Sequence, residues 1–202
     1  MILIGLLVPA LSRSIGSART TRGLAHMRQM TVLVFEYASA HKEVFPLDRE
    51  KRALDAASNW YRPLHDVGLL SNKRDADADG LRRFNRVNIM LTETFVCDPD
   101  LYIPGRTVPS EQRPTSAVRI SAVTYPSAKG AMWAPLIDDG TLSTYWCCVP
   151  GSPRGPVTFA DLSGSMEYWE DLLPGGDRYN ENDTGSPVST TWYGARGRDK
   201  QK

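Results

Sequence analysis

The residues of this chain best suited to chemistry are few and widely spaced. Asp75-Ala76-Asp77-Ala78-Asp79-Gly80 is the most metal-like segment. Alternating carboxylates followed by glycine match the first half of a calcium loop, where a hard cation gathers several oxygens and glycine permits the sharp turn. The second half departs from that pattern, because the twelfth position is Arg86 where a bidentate glutamate is required. Asp75, Asp77 and Asp79 are therefore the candidate calcium ligands, and a solvated acidic loop is the plainer reading. His26 and His41 lie fifteen positions apart, which on a helix separates them by roughly 22 Å at 1.5 Å per residue, too far to share an ion. His65 is isolated. Adjacent carboxylates such as Asp138-Asp139 and Glu170-Asp171 point apart. No HExxH, P-loop, GxSxG or Cys-His pattern occurs. The residues make no catalytic case, and we expect no enzyme and no resident cofactor.

The chain has 3 cysteines. Cys147 and Cys148 are neighbours and would rarely bond each other. If the body is exported, a bridge from Cys97 to Cys147 or Cys148 is expected, leaving one thiol free. No CxxC or Cys/His spacing supports zinc. The 202 residues carry 24 basic and 23 acidic side chains, a formal net charge of +1, which gives no case for a nucleic-acid partner. Fourteen prolines and 16 glycines imply long irregular stretches.

The elements that must carry these residues begin with Met1 to about Pro46. An apolar run, Ile2 to Leu11, leads into a basic, small-residue segment, Ser12 to Arg22, and then into an amphipathic stretch. Leu24, Met27, Thr31, Val34 and Ala38 recur at steps of three and four, which draws one apolar stripe down a helix. The helix is expected to stop near Phe45-Pro46, because the residue before a proline is pushed out of the helical region. The apolar run alone is shorter than the roughly 20 residues a bilayer span needs. Pro9 suits a kinked membrane helix or a first-turn position. A second helix is expected from an Asp48 N-cap to Pro63 or Gly68. Alternation over Val118 to Val123 predicts a half-buried strand. Gly130 to Trp133 and Tyr145 to Val149 read as further strands, and Pro156 to Trp169 reads as a hairpin turned at Asp161. Pro187 to Tyr193 has strand propensity. The charged tail from Arg196 is expected to fray.

Leu6-Leu7-Val8-Pro9-Ala10-Leu11-Ser12-Arg13, Ser17-Ala18-Arg19 and Met27-Arg28-Gln29 together resemble bacterial type IV pilin-like proteins. The closest likeness is to the pseudopilin-like group with a prepilin-type cleavage and methylation region. In that family a Leu-Pro-Ala-Leu segment lies about twenty residues into the mature helix, followed by small and basic residues. Weaker likenesses are Phe95-Val96-Cys97-Asp98-Pro99-Asp100, the Pro126-Ser127-Ala128-Lys129 turn, and Phe159-Ala160-Asp161, where Leu162 stands in place of the family's glycine. The family's histidine upstream of that last motif has no counterpart between Ala134 and Asp161. Nor does the helix offer the cysteine with which the family's counterpart of Cys97 often pairs. The sequence starts inside the family's hydrophobic helix, without its cleavage site, mature Phe or fibre-registering glutamate. The resemblance then implies either a start upstream of Met1 or a shortened relative.

Together these readings predict an α+β, pilin-like fold: a long N-terminal hydrophobic helix, residues 1–46, packed on a small antiparallel sheet with long loops, residues 47–202. The resemblance implies a structural subunit of a type II secretion or type IV pilus-like assembly. Leu3, Leu6, Leu7, Pro9 and Leu11 would form its assembly helix. Its partners would be other pilin-like subunits, the secretion or pilus machinery and the membrane, reached through that helix. Its location would be the bacterial inner membrane, with a periplasmic or cell-surface head. The rival is a helix-anchored surface module that binds calcium or carbohydrate, with Trp133, Trp146, Trp169 and Trp192 available to stack on sugars.

Overall fold

The computed structural model describes residues 2–48, 52–76, 89–104, 108, 112–134, 154–168, 171–173, 188 and 192–200. Helix α1 covers Ile2–Ala40, 39 residues, a rod of about 58 Å at 1.5 Å per residue. Its second half carries most of the stripe anticipated from spacing: Met27, Thr31, Val34 and Ala38 are fully buried, and Leu24 is half-buried. The helix ends five residues earlier than the proline rule indicated. The His41 N–H donates to the Tyr37 and Ala38 carbonyls, both 3.0 Å away. Lys42 and Glu43 then take left-handed conformations, with φ of 58° and 63°. This reversal lets the Phe45 N–H reach the Val118 carbonyl at 3.0 Å and stacks the Phe45 ring on Phe95 at 4.0 Å between centroids.

The next helix is broken in two, α2 at Ala53–Ser58 and α3 at Tyr61–Asp66. Pro63 explains the break. It has no N–H to continue a ladder through Asn59, but a restart at Tyr61 places it in a first turn, where no such donor is needed. Arg52, not Asp48, holds the α2 N-cap position, and it caps with no side-chain bond. Asp48 instead faces Arg62 at 3.5 Å. Gly68, with φ of 78°, follows the end of α3, the position where helices most often turn left-handed.

Strands β1 (Met90–Leu91), β2 (Gly130–Trp133), β3 (Arg154–Phe159) and β4 (Gly164–Tyr168) form an antiparallel sheet in that spatial order. The Pro126–Ala128 turn leads directly into β2. The β3–β4 hairpin matches the sequence expectation. Asp161 holds its turn, with Oδ1 accepting from the Ser163 N–H at 3.0 Å and the Ser163 hydroxyl at 2.6 Å. Leu162 is left-handed there, φ 67°, the conformation for which glycine is the unstrained residue. The expected strand over Val118 to Val123 is not formed. Arg119 makes an isolated bridge with Val44, and Ile120–Ala122 winds into a single 3₁₀ turn, so the alternation reflects partial burial against the reversal after α1.

The sheet is covered on both faces. On one, α1 crosses β2, β3 and β4: the Thr31 and Thr158 hydroxyls bond at 2.6 Å, and Arg28 donates to the Gly164 carbonyl at 2.6 Å. Gly164 permits this closeness, since a Cβ there would lie 3.1 Å from Arg28 Nε and 3.2 Å from Leu24 Cδ1. On the other face Met90, Trp133, Val157, Phe159, Leu172 and Val188 make a second, smaller core. Val157 and Phe159 point into it while Thr158 between them meets α1, the period-two alternation of a strand. The fold is α+β, a helix on a four-stranded antiparallel sheet.

The C-terminal segment is not frayed. Asp199 is fully buried, and its Oδ2 accepts from Lys129 Nζ at 3.0 Å and from the Gly130 N–H at 2.7 Å. Lys129 is also fully buried. The Asp199 N–H donates to the Ala128 carbonyl at 2.7 Å, and the Leu173 N–H donates to the Asp199 carbonyl at 2.7 Å. Lys200 reaches Glu167 at 2.6 Å. A charged composition suggested solvation, but among the described residues Arg196, Arg198, Asp199 and Lys200 each meet a partner from another element.

Candidate functional site

Two regions stand apart from the packed body. The first is the leading half of α1. Among the described residues of the helix, burial begins at Gly23, and from Leu11 to Arg22 none of them is buried. Leu11 is 61% and Ile15 45% exposed. Thr20 and Thr21 turn their hydroxyls back onto the Gly16 and Ser17 carbonyls at 3.1 and 3.0 Å. Leu3, Leu6, Leu7 and Pro9 lie on this helix, and their side chains fall outside the described set. Because α1 starts at Ile2, Pro9 is in the helix interior, not in a first turn. No helix among the described residues is long and apolar enough to cross a membrane.

The second region is an open cavity of about 710 Å³ between the Pro99–Tyr102 turn and the C-terminal segment. Tyr125, Trp192, Tyr193, Ile103, Pro99 and Leu173 supply its apolar lining, and Asp100, Arg196 and Arg198 its charges. The Arg198 guanidinium lies over the Tyr125 ring, 3.9 Å from its centroid. Arg196 meets Asp100 at 3.3 Å, with both side chains more than half exposed. Tyr193 is left-handed, φ 66°, a conformation that is unusual and strained for a bulky residue. It is imposed by its neighbours. The Tyr193 N–H donates to the Tyr102 carbonyl at 2.9 Å. Gly194, also left-handed, sits so close to Pro99 that a Cβ would come within 2.8 Å of its Cα. The result is an exposed ring at the cavity's edge, 54% accessible.

Between α2 and this cavity lies a buried polar cluster. Arg113 pairs with Glu93 at 3.2 Å, both almost fully buried, and stands 4.7 Å above the Tyr102 ring. Burial pushes the Cys97 thiol up to about 12, although the neighbouring Tyr102 hydroxyl pulls the other way. Burial likewise raises the Tyr102 phenol, helped by Cys97 and Glu93. Cys97 is therefore held as a neutral thiol at pH 7, not as a nucleophilic thiolate.

The residues singled out from sequence are dispersed. Asp75 accepts from the Asn72 N–H at 2.9 Å, closing a local turn. Asp77, Asp79 and Gly80 lie outside the described residues. Among the described residues no group of three His, Cys, Asp or Glu could hold a metal ion. Cys97 is a buried free thiol, and its suggested partners Cys147 and Cys148 lie outside the described residues. His41 stacks on Tyr37 at 4.0 Å and His65 faces Asp66 at 3.7 Å. Of the four tryptophans offered for sugar stacking, Trp133 is fully buried in the second core, and Trp146 and Trp169 lie outside the described residues. Trp192 alone lines the cavity. Sequence reading missed Asp100, Tyr125, Tyr193, Arg196 and Arg198. The available signal was an aromatic pair, Trp192-Tyr193, followed closely by two arginines.

Comparison of the chain with protein-family models, with curated proteins and with solved structures finds no match.

Proposed function

We propose that this chain is a pseudopilin-like structural subunit that works by helix-mediated assembly in a type II secretion or type IV pilus-like machine. In this reading it is held at the bacterial inner membrane with its head in the periplasm or at the cell surface. The observation that carries the reading is the division of α1. Its second half is a structural strut on the sheet, and its leading half presents Leu11 and Ile15 away from the body. That leading half is a poor isolated helix. Each interior glycine costs about 1 kcal/mol relative to alanine and an interior proline about 3 kcal/mol, and most helical stability in proteins comes from packing of one face, not from propensity. Gly5, Pro9 and Gly16 all fall here. Packing against other helices, or against lipid where neighbours re-satisfy the group freed by proline, supplies the stabilisation that the body does not. The sequence likeness at Leu6 to Leu11 and the hairpin at Phe159-Ala160-Asp161 agree with this reading.

Vesicle flotation tests it. The full chain should float with vesicles of mixed zwitterionic and anionic lipid, and the double substitution Leu7→Asp, Leu11→Asp should leave it at the bottom of the gradient with its far-UV circular dichroism unchanged. A wild-type chain that stays with the soluble fraction, or a variant that floats equally well, would overturn the reading.

A further inference from the structure

The cavity between the Pro99–Tyr102 turn and the C-terminal segment is not used by an assembly helix, and its lining has a definite chemistry. We propose that it binds a saccharide bearing a carboxylate, such as a uronate-containing oligosaccharide. Three features point there. Its volume of about 710 Å³ falls within the 300–1,000 Å³ or so usual for small-ligand sites. Trp192 and Tyr193 line it with aromatic rings, whose apolar faces suit the C–H face of a sugar ring, and Tyr125 carries Arg198. The charged groups sum to one excess positive charge, Arg196 and Arg198 against Asp100.

The polar groups also differ in what they can offer. Arg196 and Asp100 are joined at 3.3 Å and remain 58% and 56% exposed. They place donors beside an acceptor, as neighbouring hydroxyls that both give and take hydrogen bonds require. The Arg198 guanidinium lies over the Tyr125 ring, 3.9 Å from its centroid. Its N–H donors form a fork that matches a carboxylate, and the ring below supplies a cation–π contact. The strained backbone at Tyr193 keeps an aromatic ring at the opening, and strain of this kind collects at ligand sites. The segment behind the opening is pinned to the sheet by Asp199.

Calorimetric titration of the full chain with a uronate oligosaccharide, and separately with a neutral oligosaccharide of equal length, tests the proposal. Saturable one-site binding is expected, at least tenfold tighter for the uronate. Trp192→Ala should weaken both ligands tenfold or more. Arg198→Gln, at an exposed position, should remove the preference for the uronate while retaining neutral binding. Unchanged melting temperatures in both variants would confirm that the fold is intact. Absence of saturable binding by either sugar, equal binding of the two by the wild type, or a uronate preference that survives Arg198→Gln would overturn it. Flotation of the chain with vesicles is a separate readout, so either proposal can fail alone.

Discussion

Substituting Asp199 by Asn should be among the most damaging changes of a single functional group in this protein. The substitution preserves shape and one acceptor oxygen, so the Gly130 N–H keeps a partner. What it removes is the charge opposite Lys129, whose ammonium lies 3.0 Å away with both side chains fully buried. Burial already drives the Lys129 ammonium below its ordinary 10.5, against the pull of Asp199. Stripping one member from a buried pair leaves an uncompensated charge and costs about 3–5 kcal/mol. At about 2–4 °C per kcal/mol for a chain of this size, the melting temperature should fall by about 6–20 °C. Thermal unfolding followed by circular dichroism measures the drop. The double substitution Asp199→Asn, Lys129→Met should regain most of the loss, because removing the ammonium leaves no uncompensated buried charge while the asparagine still accepts from the Gly130 N–H. A single variant within about 1 °C of wild type, or a double variant no better than the single, would refute the argument that Asp199 anchors the C-terminal segment.

Other outcomes follow from the same geometry. The Cys97 thiol titrates at about 12 when folded, against 9.0 unfolded, so the unfolded chain loses its proton first. Its contribution is complete below pH 9 and declines towards pH 12, by at most about 1.4 kcal/mol per pH unit. Urea unfolding of Cys97→Ala should therefore show a shallower alkaline decline than wild type, and equal slopes would contradict the assignment. Lys129 works in the opposite sense: its lowered value means the folded state binds fewer protons, so its contribution is present above 10.5 and is lost as pH falls through the folded value. Replacing left-handed Leu162 by Gly trades about 1–2 kcal/mol of backbone strain for about 0.5–1 kcal/mol of extra chain entropy. Chemical denaturation should show unchanged or slightly raised stability, and a loss above about 1 kcal/mol would exclude the strain argument.

What could be read from sequence was what short-range patterning controls. The stripe Met27, Thr31, Val34, Ala38 is periodic, and a helix carrying it can bury only that face. The β3–β4 hairpin was legible because alternation on both sides meets a turn residue, Asp161, whose side chain bonds two positions on. Misreadings arose where distant partners decide. Asp199 looks solvated until Lys129 and Gly130 are brought to it, and Trp133 looks available for stacking until a second core forms on the sheet's far face. The cavity was invisible for the same reason, since Asp100, Tyr125 and Arg198 come from separate segments that only the pinned C-terminus joins. The break between α2 and α3 could have been anticipated, because Pro63 must lie in a first turn if both flanks are helical.

Association through the leading half of α1 is tested most directly by sedimentation velocity of the full chain over a range of concentrations. The prediction is concentration-dependent oligomers that revert to monomer in the double variant Leu11→Asp, Ile15→Asp, whose head keeps its melting temperature. A monomer at every concentration, or oligomers that persist unchanged in that variant, would contradict it.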